Sequence, residues 1–142
     1  MKSNLSLAIK IATEAHDGQE DKGGAPYILH PLRVMAAVND PRERIAAVLH
    51  DVAEDCPDWP LVRLREQPFS GAVLDALDAL TRRPGEDYWD FIDRCKADPI
   101  ARVVKLADLK DNQDLSRIKR PTERDCDRVR KYVTASMILM SV

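Results

Sequence analysis

Apolar residues recur at helical spacing along this chain and nowhere alternate with period two for long enough to suggest a sheet. Leu5, Ala8, Ile9, Ala12 and Ala15 make an i, i+3, i+4, i+7 stripe, with Ser3 or Asn4 as N-cap and Gly18 as terminator, and predict a first amphipathic helix. Residues 18–29 carry Gly18, Gly23, Gly24 and Pro26 and predict a loop. His30-Pro31 opens a second helix with Leu32, Val34, Met35 and Val38 inward, because proline at the first helical position has no donor to waste. Asp40-Pro41 repeats that start signal. From Ile45 to Leu49 every position is apolar, so the stretch from Arg44 to Asp55 has no wet face and predicts one buried core helix ending before Pro57.

Downstream, Asp58 reads as the cap of a short helix through Arg65, and Ser70 as the cap of another with Val73, Leu74, Leu77 and Leu80 turned inward. Arg82-Arg83-Pro84-Gly85 breaks the chain, and residues 86–97 predict a helix that buries Tyr88, Phe91 and Ile92. Asp98-Pro99 starts a helix in which Ile100, Val103, Val104, Leu106 and Ala107 read as mostly buried. Thr122 and Asp125 resemble a capping box ahead of a last helix carrying Val129, Tyr132, Val133 and Ile138. With no repeat and no linker in view, residues 1–142 predict a single compact all-α domain.

At 142 residues the chain can bury a core without disulfides or structural metal, so a metal here would be functional. A net charge of −2 gives no overall footprint for nucleic acid or an anionic membrane, and neither partner is expected. Cys56, Cys95 and Cys126 are odd in number and lack CxxC spacing, which argues against a disulfide framework and a zinc knuckle and fits a reducing, cytoplasmic setting. The N-terminal apolar positions follow helical period and are interrupted by Lys10, unlike a signal peptide or membrane span. Met137 and Met140 read as packing or as an apolar contact to another subunit, leaving the oligomeric state open.

Chemistry enters through the C-terminal half of the core stretch, which carries His50, Asp51, Glu54 and Asp55. On one continuous helix these four crowd a single sector through i, i+3 and i, i+4 spacings. Burying such groups unpaired costs several kcal/mol, and a divalent cation is one way to offset it. Acids at a helix C-terminus also oppose the macrodipole and so need another reason to be there. The helix beginning at Pro99 repeats the anomaly: Asp108 and Asn112 stand four apart, with Lys105 one turn earlier. Adding His30 gives two imidazoles and two carboxylates, a mixed set that suits manganese, iron or zinc better than calcium or magnesium. Plainer readings stand beside this one. His50 and Asp51 fit a buried hydrogen-bonded pair, and Asp108 fits an ordinary contact with Lys105. His16 reads as a packed or supporting residue. The Arg117–Lys131 segment, with seven cations among three acids, reads as a solvated helix face.

The order His30, His50-Asp51, Asp108 resembles the H…HD…D signature of the HD superfamily of metal-dependent phosphohydrolases. Four segments resemble, more closely, the hydrolase domain of the RelA/SpoT alarmone enzymes and the small alarmone hydrolases, including metazoan SpoT homologues. They are residues 15–19 (AHDGQ), 26–32 (PYILHPL), 47–55 (AVLHDVAED) and 104–112 (VKLADLKDN). The resemblance implies that His30, His50, Asp51 and Asp108 bind one metal, usually Mn2+, and that Glu54 and Asp55 position or deprotonate the attacking water. It implies that Lys22 and Asn112 contact the nucleotide, Lys22 near phosphate, and that a 3′-linked pyrophosphate is hydrolysed from a guanosine alarmone such as ppGpp. The chain departs from the family pattern at Asp21, where a basic residue is usual, and at Asp114, where arginine is usual. Both departures fall on nucleotide-contacting positions and leave the metal set intact. An adenosine alarmone or the 2′-phosphate of NADPH therefore stands beside ppGpp as substrate. A non-catalytic nucleotide or metal sensor is the other alternative, disfavoured by the presence of Glu54 and Asp55.

Overall fold

The computed structural model describes residues 4–142, and its architecture is helical throughout. In chain order the helices are α1 (Leu5–Ala15), α2 (Leu29–Ala36), α3 (Pro41–Leu49), α4 (Val52–Asp55), α5 (Leu61–Arg65), α6 (Gly71–Leu80), α7 (Tyr88–Ala97), α8 (Pro99–Asn112) and α9 (Glu123–Met140). Among the described residues the only β pairing is an isolated bridge between Glu20 and Pro26 in the first loop. The all-α expectation holds.

Helix α3 is the hub, packed against α1, α2, α6 and α8, and every side chain from Ile45 to Leu49 is buried. A fully buried leucine or valine contributes roughly 1.5–3 kcal/mol relative to leaving it wet, so this short helix carries much of the core. Asp40 caps it by accepting the Arg42 amide at 2.9 Å, with Pro41 at the first helical position. Asp98-Pro99 starts α8 in the same way, Ser70 caps α6 and the Thr122/Asp125 capping box starts α9. Gly18 has φ +82 just beyond α1, the left-handed conformation that suits a helix terminator. Asn4 is the N-cap position of α1 but makes no side-chain cap; its amide reaches the Pro68 carbonyl instead. Ser3, the alternative cap, lies outside the described residues.

Several boundaries differ from those the sequence predicts. The core stretch is not one helix: α3 stops at Leu49, His50 and Asp51 form a turn, and α4 follows. The cause is local. His50 Nδ1 donates to the Ala47 carbonyl at 2.6 Å, the acceptor that an unbroken helix would give to the Asp51 amide. Helix α2 begins at Leu29, two residues before the predicted start, because the Leu29 and His30 amides donate back to Pro26 and Tyr27 and nucleate an earlier turn. Pro31 still falls in the first turn, where its missing donor goes unnoticed. Helix α5 is preceded by Pro60 in the N-cap place, and Asp58 instead offers its carbonyl to Arg63. Asp87, not assigned in the sequence, caps α7 through the Trp89 and Asp90 amides. Val103 is exposed rather than buried, and α9 leaves Val133 exposed while turning Ala135, Ser136 and Leu139 inward.

Candidate active site

Packing of α3 on α2 and α8 gathers His30 from α2, His50 and Asp51 from the α3–α4 turn, and Asp108 from α8. One donor atom from each of these four lies within 4.8 Å of all the others, a group that can hold a metal ion. His30, His50 and Asp108 are buried and Asp51 is half-buried. The carboxylates are steered from behind. The Tyr27 hydroxyl donates to Asp51 Oδ2 at 2.6 Å, Lys105 Nζ to Asp108 Oδ2 at 2.8 Å, and Asn112 Nδ2 to Asp108 Oδ1 at 3.0 Å. Lys105 pairing and membership of the cluster are thus not alternatives for Asp108; one oxygen serves each.

The donor chemistry fits a cation. Because His50 Nδ1 donates to a main-chain carbonyl, which can only accept, the neutral ring presents a lone pair on Nε2. That nitrogen is buried with no hydrogen-bond partner. Asp51 Oδ2 and Asp108 Oδ1 stand 3.1 and 3.2 Å from it, neither in hydrogen-bonding alignment. With the ring neutral, three acceptors converge on one point, an arrangement that calls for a positive charge in their midst. His30 sits opposite, with Nε2 at 2.9 Å from Asp108 Oδ1 and 3.6 Å from Asp51 Oδ2, while Nδ1 lies 2.6 Å from Asp111 Oδ2.

The electrostatics show the same imbalance. Burial opposes charge on His50, yet Asp51 and Asp108 outweigh it and hold its pKa well above the ordinary imidazole value; His30 is raised likewise, Asp108 overcoming burial. Burial would raise Asp108, but Lys105 and then His50 pull it well below the usual carboxylate range. Asp51 is lowered by His50 against the same burial. Tyr27 is raised by burial and by Asp51, so it keeps its proton and remains a donor.

Glu54 and Asp55 lie outside that four-residue group. The break at His50 places them on α4, so they do not share one continuous helical sector with the histidine. Both are solvent-accessible, and the protein around them still raises both carboxyls: burial leads for each, followed for Asp55 by the charge of Asp51, while the Arg82 amide opposes the rise at Glu54. Glu54 Oε1 accepts that amide.

Beside the cluster, sharing His30 with it and lined also by Tyr27, lies a cavity of about 270 Å³. Lys22 and Asn112 line it, as do Arg33, Arg117 and Arg128. Its wall depends on a close approach: a Cβ on Gly23 would come within 2.5 Å of the Arg117 carbonyl oxygen, so only glycine lets the first loop pack against the segment after α8. Lys22 Nζ is 3.7 Å from Asp125, which also pairs with Arg128. Arg117 and Arg128 therefore face a cavity rather than forming only a solvated surface. Asp21 staples the loop by accepting the Gly23 and Ala25 amides, each at 2.9 Å, and Asp114 accepts the Ser116 amide at 2.9 Å and Arg117 Nη1 at 3.0 Å. His16 is buried beside Tyr27, its Nδ1 2.8 Å from Gln19 Oε1, which makes it a packed neighbour of the site. Periodicity and motif spacing assign no role to Tyr27, Arg33 or Asp111. For Asp111 the available signal is its i+3 position from Asp108.

No family model matches the chain. A guanosine-3′,5′-bis(diphosphate) 3′-pyrophosphohydrolase of Aquifex aeolicus is 32% identical over 120 residues, covering 76% of this chain and 17% of that protein. The protein of the same name from Vibrio cholerae is 46% identical over 97 residues, covering 66% of this chain and 13% of its relative. The chain thus spans less than a fifth of either protein's length. A solved structure of a metazoan ortholog of SpoT that hydrolyzes ppGpp superposes with a TM-score of 0.75 at 22% identity, covering 98% of this chain and 84% of the other. In sequence, this chain is similar over part of their length to these guanosine-3′,5′-bis(diphosphate) 3′-pyrophosphohydrolases, and in fold it is similar to the metazoan SpoT ortholog.

Proposed function

We propose that the chain is a metal-dependent phosphohydrolase acting on a pyrophosphorylated nucleotide, with 3′-pyrophosphate removal from (p)ppGpp as its activity. The observation that carries this reading is His50 Nε2, buried, without a hydrogen-bond partner, and facing two carboxylate oxygens. His30, His50, Asp51 and Asp108 are the proposed ligands, and Mn2+ the expected ion. When bound, such an ion lowers the pKa of water and offsets charge on phosphoryl oxygens. The protein does the rest by placement. Tyr27, Lys105 and Asn112 hold the two carboxylates in fixed orientations, and the Ala47 carbonyl holds the His50 ring. Glu54 and Asp55, with raised pKa values, are the proposed acceptors of the proton from the attacking water, since a carboxylate made more basic by burial is better matched to proton transfer near neutral pH. Lys22, with Arg33, Arg117 and Arg128, supplies positive charge to the phosphates, and Asn112 stands at the boundary between cavity and ligands.

The names of the relatives direct the choice of nucleotide, and a substrate panel tests it. Purified protein with Mn2+ is offered ppGpp, an adenosine alarmone and NADPH, and the products are separated as pyrophosphate or orthophosphate. Pyrophosphate from ppGpp is the expected result. Pyrophosphate mainly from the adenosine compound, or orthophosphate from NADPH, keeps the hydrolase and changes its substrate. No turnover of any of them, with Mn2+ bound, overturns the enzyme in favour of a sensor.

A further inference from the structure

The two histidines are held from behind by different groups. His50 rests on a main-chain carbonyl, whereas His30 Nδ1 meets the carboxylate of Asp111 at 2.6 Å. Asp111 lies three residues beyond Asp108, on the same face of α8, so one helix supplies partners to both nitrogens of the His30 ring. Asp111 is itself clamped. Arg33 donates to it through a fork, Nε to Oδ1 at 2.8 Å and Nη2 to Oδ2 at 3.1 Å. Arg117 Nη2 stands 3.4 Å from Oδ2 and donates to the Asp111 main-chain carbonyl at 3.0 Å. The Asp111 side chain is only 13% exposed, while Arg33 and Arg117 keep about a third of theirs open at the cavity wall.

We propose that Asp111 is a positioning residue for His30: its carboxylate accepts the Nδ1 proton, fixes the tautomer and turns the Nε2 lone pair toward Asp51, Asp108 and His50, with Arg33 holding the carboxylate in place. This rests on the reading of those four residues as ligands. A carboxylate behind an imidazole also makes it a stronger donor, and loss of such a partner typically costs ten- to a hundredfold in metal affinity. Both Asp111 oxygens are occupied by the His30 ring and the arginines, which leaves neither free to reach into the cavity.

The test is Mn2+ binding to the full chain without nucleotide, followed by the electron paramagnetic resonance of free Mn2+, for wild type, Asp111→Asn and Arg33→Met. Circular dichroism checks the fold, and Co2+ absorption reports the ligand field. Asp111→Asn is expected to bind Mn2+ about ten- to a hundredfold more weakly and to alter the Co2+ visible bands while remaining folded. Arg33→Met, which leaves Asp111 in place but unclamped, is expected to weaken binding several-fold, and it decides the matter if Asp111→Asn does not fold. Wild-type affinity and an unchanged Co2+ spectrum in the folded variants overturn the role of Asp111 and leave the metal site standing. A wild-type chain that binds no Mn2+ overturns both.

Discussion

Replacing Asp108 with asparagine tests whether the buried charges balance as the distances imply. Asp108 Oδ2 accepts from Lys105 at 2.8 Å, and its Oδ1 lies 2.9 and 3.2 Å from the imidazoles of His30 and His50. The Asp108 side chain is 4% exposed and that of Lys105 is 14%. Asparagine keeps the shape and deletes the charge. The two imidazoles still face the Asp51 carboxylate, but the Lys105 ammonium, which burial disfavours and Asp108 sustains, is stranded. Breaking a buried ion pair from one side costs about 3–5 kcal/mol. At roughly 2–4 °C per kcal/mol for a chain of this size, Asp108→Asn is expected to melt about 6–20 °C below wild type in metal-free buffer containing chelator. Adding Lys105→Met to it recovers a substantial part of the loss, because an apolar replacement removes the stranded charge. Urea and thermal unfolding of wild type, both single variants and the double variant close the cycle. A coupling of about 1–3 kcal/mol is expected. Additivity to within about 0.5 kcal/mol would refute the charge balance drawn here.

Three further outcomes follow from the same geometry. Glu54→Gln keeps an oxygen for the Arg82 amide and deletes the proposed base, so turnover is expected to fall by about 10²–10⁴ with Mn2+ affinity unchanged; unaltered turnover removes Glu54 from proton transfer. Mn2+ at a hundred times its dissociation constant is expected to add about 2.7 kcal/mol and raise the melting midpoint by about 5–11 °C over chelated protein, a shift lost in His50→Ala; a midpoint indifferent to Mn2+ contradicts the ligand set. Hydrogen bonds from Arg94 hold Glu86 down from 4.5 to about 2, so its stabilising effect is present above pH 4.5 and fades as pH falls toward 2. Glu86→Gln should flatten the urea midpoint over that acid range, and an equally steep acid limb in the variant would show that the pair contributes nothing.

Much of this was legible in the sequence, and the parts that were not share a physical reason. The uninterrupted run from Ile45 to Leu49 could only be core, and a cap followed by proline marked the starts of α3 and α8 because those signals act within one turn. His50, Asp51 and Asp108 announced themselves by being ionisable in apolar surroundings, whereas His30, before Pro31 at a helix entrance, stands out only through the order of the motif. The turn at His50 did not, since it depends on a ring nitrogen taking a carbonyl from the main chain, a competition that periodicity does not encode. Val103 and Val133 fit the apolar stripes of their helices, but which edge of a stripe is covered depends on how α8 and α9 meet their neighbours. Asp111 looks like any acid on a helix until α2 brings His30 and Arg33 against it. Arg117 and Arg128 likewise read as solvated until Gly23 admits the first loop against the Arg117 carbonyl.

That division also bears on the two positions where the chain departs from the sequence pattern it otherwise resembles. Asp21 and Asp114 both lie outside the helices, and both spend their carboxylates on nearby main-chain amides, Gly23 and Ala25 for one and Ser116 for the other. Asp114 also holds Arg117, one of the cations of the cavity wall. A substitution there reshapes the cavity and redistributes its charge without touching the four clustered side chains, which are anchored by α2, by α8 and by the junction of α3 with α4. Loops can be altered at little cost to the core, whereas a donor moved by an ångström on a packed helix cannot be compensated locally. On the proposed function, selection of the nucleotide and support of the cation would be separable in this fold: the first would depend on short-range staples in two loops, the second on helix packing around α3.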